Sequence, residues 1–309
     1  MTSFHVSPED AGTRLDLLLS ARLGVSRAAV QTMMKNGLVT RNGAPAIAHK
    51  TVHADDEIAY DLPAAETPAA PVESPELDII FEDDELLVVN KPAGLLVHPN
   101  TEDEARARPT LTATAVKHAP GMARVGENAL RPGVMHRLDK DVSGVMVLAK
   151  TQETYDDLKR QFAEREADKH YVALAYGKMS KDHDVISLPI ARSKARGRMV
   201  ARPASQEGKE AITEYTVLER LKTATLLDVK THTGRTHQIR THFFAINHPL
   251  VGDALYRKAH MRHIRPIDLG RVFLHASSLT VARRDGTRQT FTAPLPKELE
   301  DLLASLPRL

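Results

Sequence analysis

The stretch DLPAAETPAAPVESPE, residues 61 to 76, constrains most strongly how this chain can fold. It carries four prolines and four alanines among acidic residues and shows no periodic apolar pattern. Such a composition gives an extended linker. A chain interrupted in this way does not close around a single core. Its 309 residues are expected to divide into a small module at 1–62, a linker at 63–76 and a large domain at 77–309. A piece of roughly sixty residues can fold alone but has little stability to spare.

In the first piece, RLDLLLSARL spaces its apolar residues as a helix does, and Ser26 is placed to cap a second helix through AAVQTMMKNG that stops at Gly37. LVTRNG then reads as a short strand entering an Asn-Gly turn, and EIAY as another strand. Between Leu23 and Ala54 there is no Asp or Glu, while Arg27, Lys35, Arg41 and Lys50 supply positive charge. Those cations either solvate a small domain or form a face for a polyanion, and charge alone leaves both open.

After the linker, LDIIFEDDELLVVNKPAG reads as two strands around an acidic turn. Residues 100 to 130 are polar, with one helix near LTATAVKHA. GVMVLAK is a buried strand, and TQETYDDLKRQFAERE a helix capped by Thr151. KHYVALAYG, EAITEYTVLERL, TATLLDVKTHTG and FLHASSLTVARRDGTRQTFTA follow with strand-like alternation and turn signals. Strands dominate with helices set between them, so the expected class is α+β, a mixed, largely antiparallel sheet with helices packed on it.

Composition removes several chemistries. The absence of cysteine excludes disulfides, thiolate nucleophiles and Cys-based zinc sites. Aromatic residues make up only 4% with no Trp, so recognition of a nucleic acid would lean on charge and shape rather than on a multi-base stacking surface. MTSFHVSPEDAG lacks a leader pattern, and nowhere do eighteen apolar residues run together; the expectation is a soluble, cytoplasmic protein. A net charge of +2 says little about partners, and its distribution says more.

HRLDKDVSG, residues 136 to 144, concentrates the candidate chemistry. Arg137 and Lys140 flank Asp139, and nearby cations hold a carboxylate ionised and suited to attack carbon. Asp141 is an alternative, and both carboxylates could merely cap a turn before Ser143-Gly144. The two could also share a strand face, as the carboxylate pair of a glycosidic-bond hydrolase requires. HRLDKD lacks the phosphate loop and metal-binding triplet of a kinase. His237 and His242 in THQIRTH are five apart with no glutamate between them, unlike a zinc-protease helix, and read as ordinary polar or capping histidines.

GVMHRLDKDVSGVMVLAKT closely resembles the catalytic motif of the RluA family of pseudouridine synthases. VVNKPAGLLVHP precedes it, and KHYVALAYG, HTGRTHQIRTHFFAINHPLVGDALY and FLHA follow in the family's order. The pattern is most similar to the subgroup acting on large-subunit ribosomal RNA. GTRLD, SRAAVQTMMKNGLVTRNG and the carboxylate pair before EI resemble the alpha-L RNA-binding module appended to several RNA-modifying enzymes. Asp55 stands where that module usually has Gly.

The resemblance implies a pseudouridine synthase fold and isomerisation of uridine to pseudouridine in structured RNA, with the target nucleotide flipped into the site. It implies that Asp139 is the nucleophile, that Tyr171 packs on the uracil and takes part in proton transfer, and that Arg240 pairs with Asp139. A guanidinium fork can orient both oxygens of a carboxylate. Arg137 would fill the place the nucleotide leaves, Ile239 would wall the base, and His136 and Lys169 would belong to the substrate site. Val142 stands where the family commonly has Thr or Ser, which removes a hydroxyl hydrogen bond. Isomerisation transfers no external group, so neither cofactor nor metal is expected. The expected partner is RNA, ribosomal RNA or an assembling large subunit, for a monomer that engages no membrane.

Beside such a site, Arg27, Lys35 and Arg41 of the small module become candidate phosphate contacts. So do Arg192, Lys194, Arg196 and Arg198 in ARSKARGRMVAR, and the stretch RKAHMRHIR, residues 257 to 265. Two alternatives stand beside the main expectation. One is the same reaction on transfer RNA. The other is a non-catalytic RNA-binding or ribosome-assembly factor, which would need none of Asp139, Tyr171 and Arg240.

Overall fold

A computed structural model describes residues 2–23, 27–61, 75–193, 197–257 and 267–309, with the side chains of residues 27–29 outside the description. The cap assigned to Ser26, the Arg27 side chain, most of the linker, Lys194, Arg196 and all but Arg257 of RKAHMRHIR therefore lie outside the described residues. The chain divides into two compact units, Met1–Pro71 and Val72–Leu309.

The first unit contains β1 (Thr2–His5), α1 (Leu15–Leu23), α2 (Arg27–Lys35), β2 (Val39–Arg41), β3 (Ala44–Pro45) and β4 (Glu57–Tyr60). Its strands pair antiparallel in the order β1-β4-β2-β3. Leu15, Leu18 and Leu19 on α1 and Val30, Met33 and Met34 on α2 recur three and four residues apart. That spacing gives each helix one apolar stripe, which is buried with Val39, Val52 and Ile58. Asp55 adopts φ +67, the left-handed conformation glycine would take, and its N–H donates to Val6 O, so the turn closes without a glycine.

The second unit opens with β5 (Ile79–Glu82), β6 (Leu86–Lys91), α3 (Glu102–Ala107), α4 (Leu111–His118), β7 (Ser143–Ala149) and α5 (Gln152–Ala163). It continues through β8 (Asp168–Tyr176), β9 (His183–Ser187), β10 (Ile190–Arg192), β11 (Met199–Ala201), β12 (Ile212–Arg220) and β13 (Ala224–Thr231). It closes with α6 (Gln238–Ala245), β14 (Leu274–Ala282), β15 (Arg288–Thr292) and α7 (Lys297–Ser305). Nine strands form one sheet in the order β5-β6-β7-β14-β8-β13-β12-β9, with β15 beside β14, and β10 and β11 pair separately. Within that sheet only β7 and β14 run parallel, so the expected α+β class with a mixed, largely antiparallel sheet is what forms.

β7 reads as an unbroken apolar run because both faces of the sheet are covered there. Val145 and Val147 share a core with Tyr155 and Leu158 of α5, while Met146 and Leu148 share the opposite core with Leu111, Ala115 and Phe243. Thr151 caps α5 as expected, accepting from the Thr154 N–H at 3.2 Å. The sequence showed no helix at α6. Residues Gln238 through Phe243 are all buried, polar ones included, so the segment has no exposed polar face to set against an apolar one. Burial of Phe243 alone contributes roughly 1.5–3 kcal/mol to its docking. Among the described residues no helix is long and apolar enough to cross a membrane.

Candidate active site

HRLDKDVSG forms an irregular segment and a turn immediately before β7. The Val142 N–H donates to Asp139 O at 3.1 Å. Leu138 and Val142 on either side of the turn are buried in the core, so Asp139 is presented from a segment anchored at both ends. The turn is also held from below. Lys91 is fully buried, and its Nζ donates to Pro92 O at 2.7 Å, Leu95 O at 2.9 Å and Lys140 O at 3.1 Å. Burial pushes Lys91 down to about 7, against three carbonyls that together use all three hydrogens of an ammonium. The lysine of VVNKPAG, read from sequence only as the end of a strand, thus ties that loop to the residue after Asp139.

Asp139 retains 16% side-chain exposure and lines a cavity of about 530 Å³ together with Tyr171, Ile239, Arg240, His237, Lys169 and His136. Its Oδ2 accepts from Arg240 Nη1 at 3.0 Å and lies 3.8 Å from His237 Nε2. Oδ1 accepts no hydrogen bond among the described residues. The expected pairing with Arg240 is present, with one correction. The guanidinium fork is taken by Asp253, which accepts from Nε at 2.7 Å and from Nη2 at 3.0 Å, leaving a single bond for Asp139. With Nε and one hydrogen of Nη2 on Asp253, Arg240 reaches Asp139 through Nη1 alone. Burial lowers the Arg240 pKa, and the two carboxylates more than reverse that and hold it charged.

Asp253 was not singled out in the sequence. Its side chain is fully buried, and its Oδ1 also accepts from the Leu255 N–H at 2.9 Å and the Tyr256 N–H at 3.0 Å. The turn that carries it depends on Gly252, at φ +73, where a Cβ would stand 1.8 Å from Arg271 O. His237 was also passed over as an ordinary polar histidine. It precedes α6 at φ +55, bonds Tyr256 Oη through Nδ1 at 3.0 Å and lines the cavity. Burial lowers its pKa, and Asp139 opposes that. His242 faces the core instead, bonded to Thr213 Oγ1 and Leu188 O. Among the described residues no three His, Asp or Glu side chains gather as a metal set.

Lys169 and Tyr171 stand two apart on β8 and share the face toward the cavity. Burial raises the Tyr171 phenol to about 12, so it is protonated at neutral pH. Ile239 is 5% exposed and adds an apolar wall. His136 stacks on Phe162 with ring centroids 4.5 Å apart and 14° between planes, and burial drops its pKa to about 3. Its Nε2 accepts from the Val147 N–H at 3.1 Å, so the ring proton sits on Nδ1. Arg137 is exposed and contributes to the cavity lining. Neither Arg137 nor Lys140 forms an ion pair with Asp139 among the described residues; Arg240 supplies the cation expected from those neighbours.

Asp141 is exposed and absent from the lining, where Asp139 is the one carboxylate among the described residues. A turn, not a strand, carries both residues, so they share no face, and the paired-carboxylate arrangement of a hydrolase is missing. The small-module cations divide. Lys35 is exposed, whereas Arg41 pairs with buried Asp56 at 2.5 Å and donates to Thr51 O at 2.9 Å, which commits it to its own fold. Arg192 is exposed on β10. Arg198 lies 4.9 Å from the ring centroids of both Phe244 and Tyr256 and donates to Leu255 O, so it braces the Asp253 turn rather than standing free.

The family model for RNA pseudouridylate synthase matches residues 85–245. An uncharacterised RNA pseudouridine synthase of Bacillus subtilis (strain 168) is 34% identical over 302 residues, covering 97% of this chain and 96% of its own length. A protein of Nitrosomonas europaea named ribosomal large subunit pseudouridine synthase D is 36% identical over 305 residues, covering 97% of this chain and 86% of its own. Among solved structures, human RNA pseudouridylate synthase domain containing 1 superposes with a TM-score of 0.60 at 28% identity, covering 78% of this chain and 91% of that one.

Proposed function

The chain belongs to the RNA pseudouridylate synthase family, and from that premise we propose that it isomerises uridines of large-subunit ribosomal RNA with Asp139 as the nucleophile. The observation that carries this assignment is the division of labour within one carboxylate. Oδ2 is neutralised by Arg240, while Oδ1 is left unbonded in a cavity walled by Tyr171 and Ile239. The reaction breaks the bond between the uracil N1 and the sugar, turns the base and rejoins it through C5, from which a proton departs. Nothing is added or lost overall beyond that proton exchange.

Uridine within folded RNA must be extruded at a cost of a few kcal/mol before the nucleotide can meet Asp139. Arg137, exposed at the cavity, is placed to occupy the vacated position. Tyr171 and Ile239 flank the flipped base, and Arg240 donates to the carboxylate and fixes its orientation. Because the phenol of Tyr171 is protonated in the free protein, any part it takes in removing the C5 proton must be induced by the bound nucleotide. The assignment to ribosomal RNA is supported by relatives that carry that substrate in their names and align along nearly the whole chain. That alignment includes the first unit, which we assign to RNA binding. With that substrate we assign the enzyme to the cytoplasm.

The test is tritium release from ribosomal RNA labelled at C5 of uridine, with wild type and Asp139→Asn. Wild type should release tritium and the variant should fall at least about 10⁴-fold, to background. Release from transfer RNA alone would reassign the substrate. Comparable release by Asp139→Asn would end its role as nucleophile.

A further inference from the structure

We propose that Lys169, together with the Nδ1–H of His136, forms an anion subsite in the cavity wall that receives a backbone phosphate adjoining the target nucleotide. The proposal rests on the assignment of the cavity to an RNA nucleotide and specifies what its deep cation is for. Lys169 is only 9% exposed, yet it lines the cavity and makes neither ion pair nor hydrogen bond among the described residues. Its ammonium lies 5.7 Å over the Phe162 ring.

Of the other cations of the lining, Arg137 is exposed and Arg235 donates to Glu210 O, while the remaining three have carboxylate partners. Lys159 is bridged to Glu127, Arg165 to Glu210, and Arg240 to Asp253 and Asp139. The nearest acidic neighbour of Lys169, Asp168, is occupied by Lys230 and Arg288 at 2.7 Å each. A buried ammonium without a counter-charge is costly to keep, and burial accordingly pushes Lys169 down to about 8. The cost is relieved when a ligand supplies the negative charge.

His136 narrows the ligand class. With Nε2 engaged by the Val147 N–H, the ring presents a single donor, Nδ1–H, which has no partner among the described residues. Lys169 and His136 therefore offer donors and no acceptor. A base carbonyl would satisfy a donor but leave the ammonium uncompensated, whereas a phosphodiester does both. Position agrees with this choice. Lys169 and Tyr171 are separated by about 7 Å along one face of β8, so an anion at Lys169 lies within a nucleotide's reach of a base on Tyr171. A cavity of about 530 Å³ has the size of pockets that hold ligands much larger than a bare uracil.

The experiment compares wild type, Lys169→Met and Lys169→Arg. Filter retention of in vitro transcribed large-subunit ribosomal RNA is measured from about 50 to about 300 mM KCl, alongside tritium release and a melting curve. Lys169→Met should weaken binding about tenfold at the lowest salt and reduce the log–log salt slope by roughly 0.7–0.9, the signature of one lost phosphate contact. Lys169→Arg should keep the slope, and in Lys169→Met the RNA concentration for half-maximal release should rise in step with the loss of affinity. A Lys169→Met protein that melts like wild type and shows an unchanged slope overturns the proposal. So does loss of rate at saturation with unchanged affinity, which would mean an ammonium acting on the base. Retention is read without catalysis. Failure of wild type to release tritium from ribosomal or transfer RNA would therefore strike at the substrate assignment and leave the phosphate count to be judged separately.

Discussion

Asp253→Asn separates the placement of Arg240 from the chemistry of Asp139. Asparagine keeps the shape and can still accept the Leu255 and Tyr256 N–H bonds through its carbonyl oxygen. Its amide then faces Arg240 Nε, so the 2.7 Å charge-assisted bond becomes a meeting of two donors. Removing one partner of a buried pair costs about 3–5 kcal/mol. Asp139 remains on the same guanidinium, which places the expected loss near the lower end, about 3 kcal/mol. For a unit of this size that corresponds to a fall of about 6–12 °C in Tm. The functional consequence is larger in kind. Freed from Asp253, the guanidinium can turn to engage both oxygens of Asp139, including the Oδ1 that is unbonded in the native site. Single-turnover tritium release should fall by about 100-fold, the scale on which a preorganised electrostatic group acts, while RNA retention changes less than threefold. A variant with the lowered Tm but a rate within threefold of wild type would refute the reasoning, because the position of Arg240 would then not depend on Asp253.

Two further outcomes follow from the geometry. Gly144→Ala should prevent correct closure of the parallel β7–β14 pair, because φ is +119 there and a Cβ would lie 2.2 Å from Ala276 O; a soluble variant melting within about 2 °C of wild type would contradict this. Asp56 should make the first unit acid-sensitive. Burial, which raises its pKa, is outweighed by bonds from the His53 N–H, Arg41 and Asn42, which hold it at about 2, below an unfolded value near 3.9. The folded pKa is depressed, so the stabilisation is fully present above about pH 5 and is lost as pH falls toward 2, a change of about 2 kcal/mol. Amide exchange of residues 2–61 in the full chain should accelerate across that window in wild type but not in Asp56→Asn, and superimposable profiles would dispose of the assignment.

What was legible in the sequence was local. The apolar run of β7, the Thr151 cap and the apolar stripe of α1 each follow from residues within one element. The turn at Asp139 was equally visible, and it is this turn that presents the carboxylate to the cavity. α6 stayed hidden because it is enclosed on all sides, and the periodicity that betrays a surface helix vanishes when polar residues such as Gln238 and His242 are also inside. Asp253 stayed hidden for a different reason. Nothing in VGDALY distinguishes a buried, fourfold-bonded carboxylate from a solvated turn aspartate.

The pairing of Arg240 with Asp139 spans 101 residues, and no spacing rule connects them. They meet because β7, which starts just after Asp139, sits next to β14 and one strand from β8, while α6 packs its Ile239 and Phe243 into the core on that same side of the sheet. The site is therefore as rigid as the sheet beneath it. Lys91 on β6 reaches the same turn from the other flank, so β6 and β7 are both tied to the position of one carboxylate. With its position set by strand order and its charge divided between Arg240 and an open oxygen, Asp139 requires little rearrangement when a nucleotide enters. On the proposed assignment the rearrangement falls on the RNA, which must unstack and extrude its uridine to reach a carboxylate already in place.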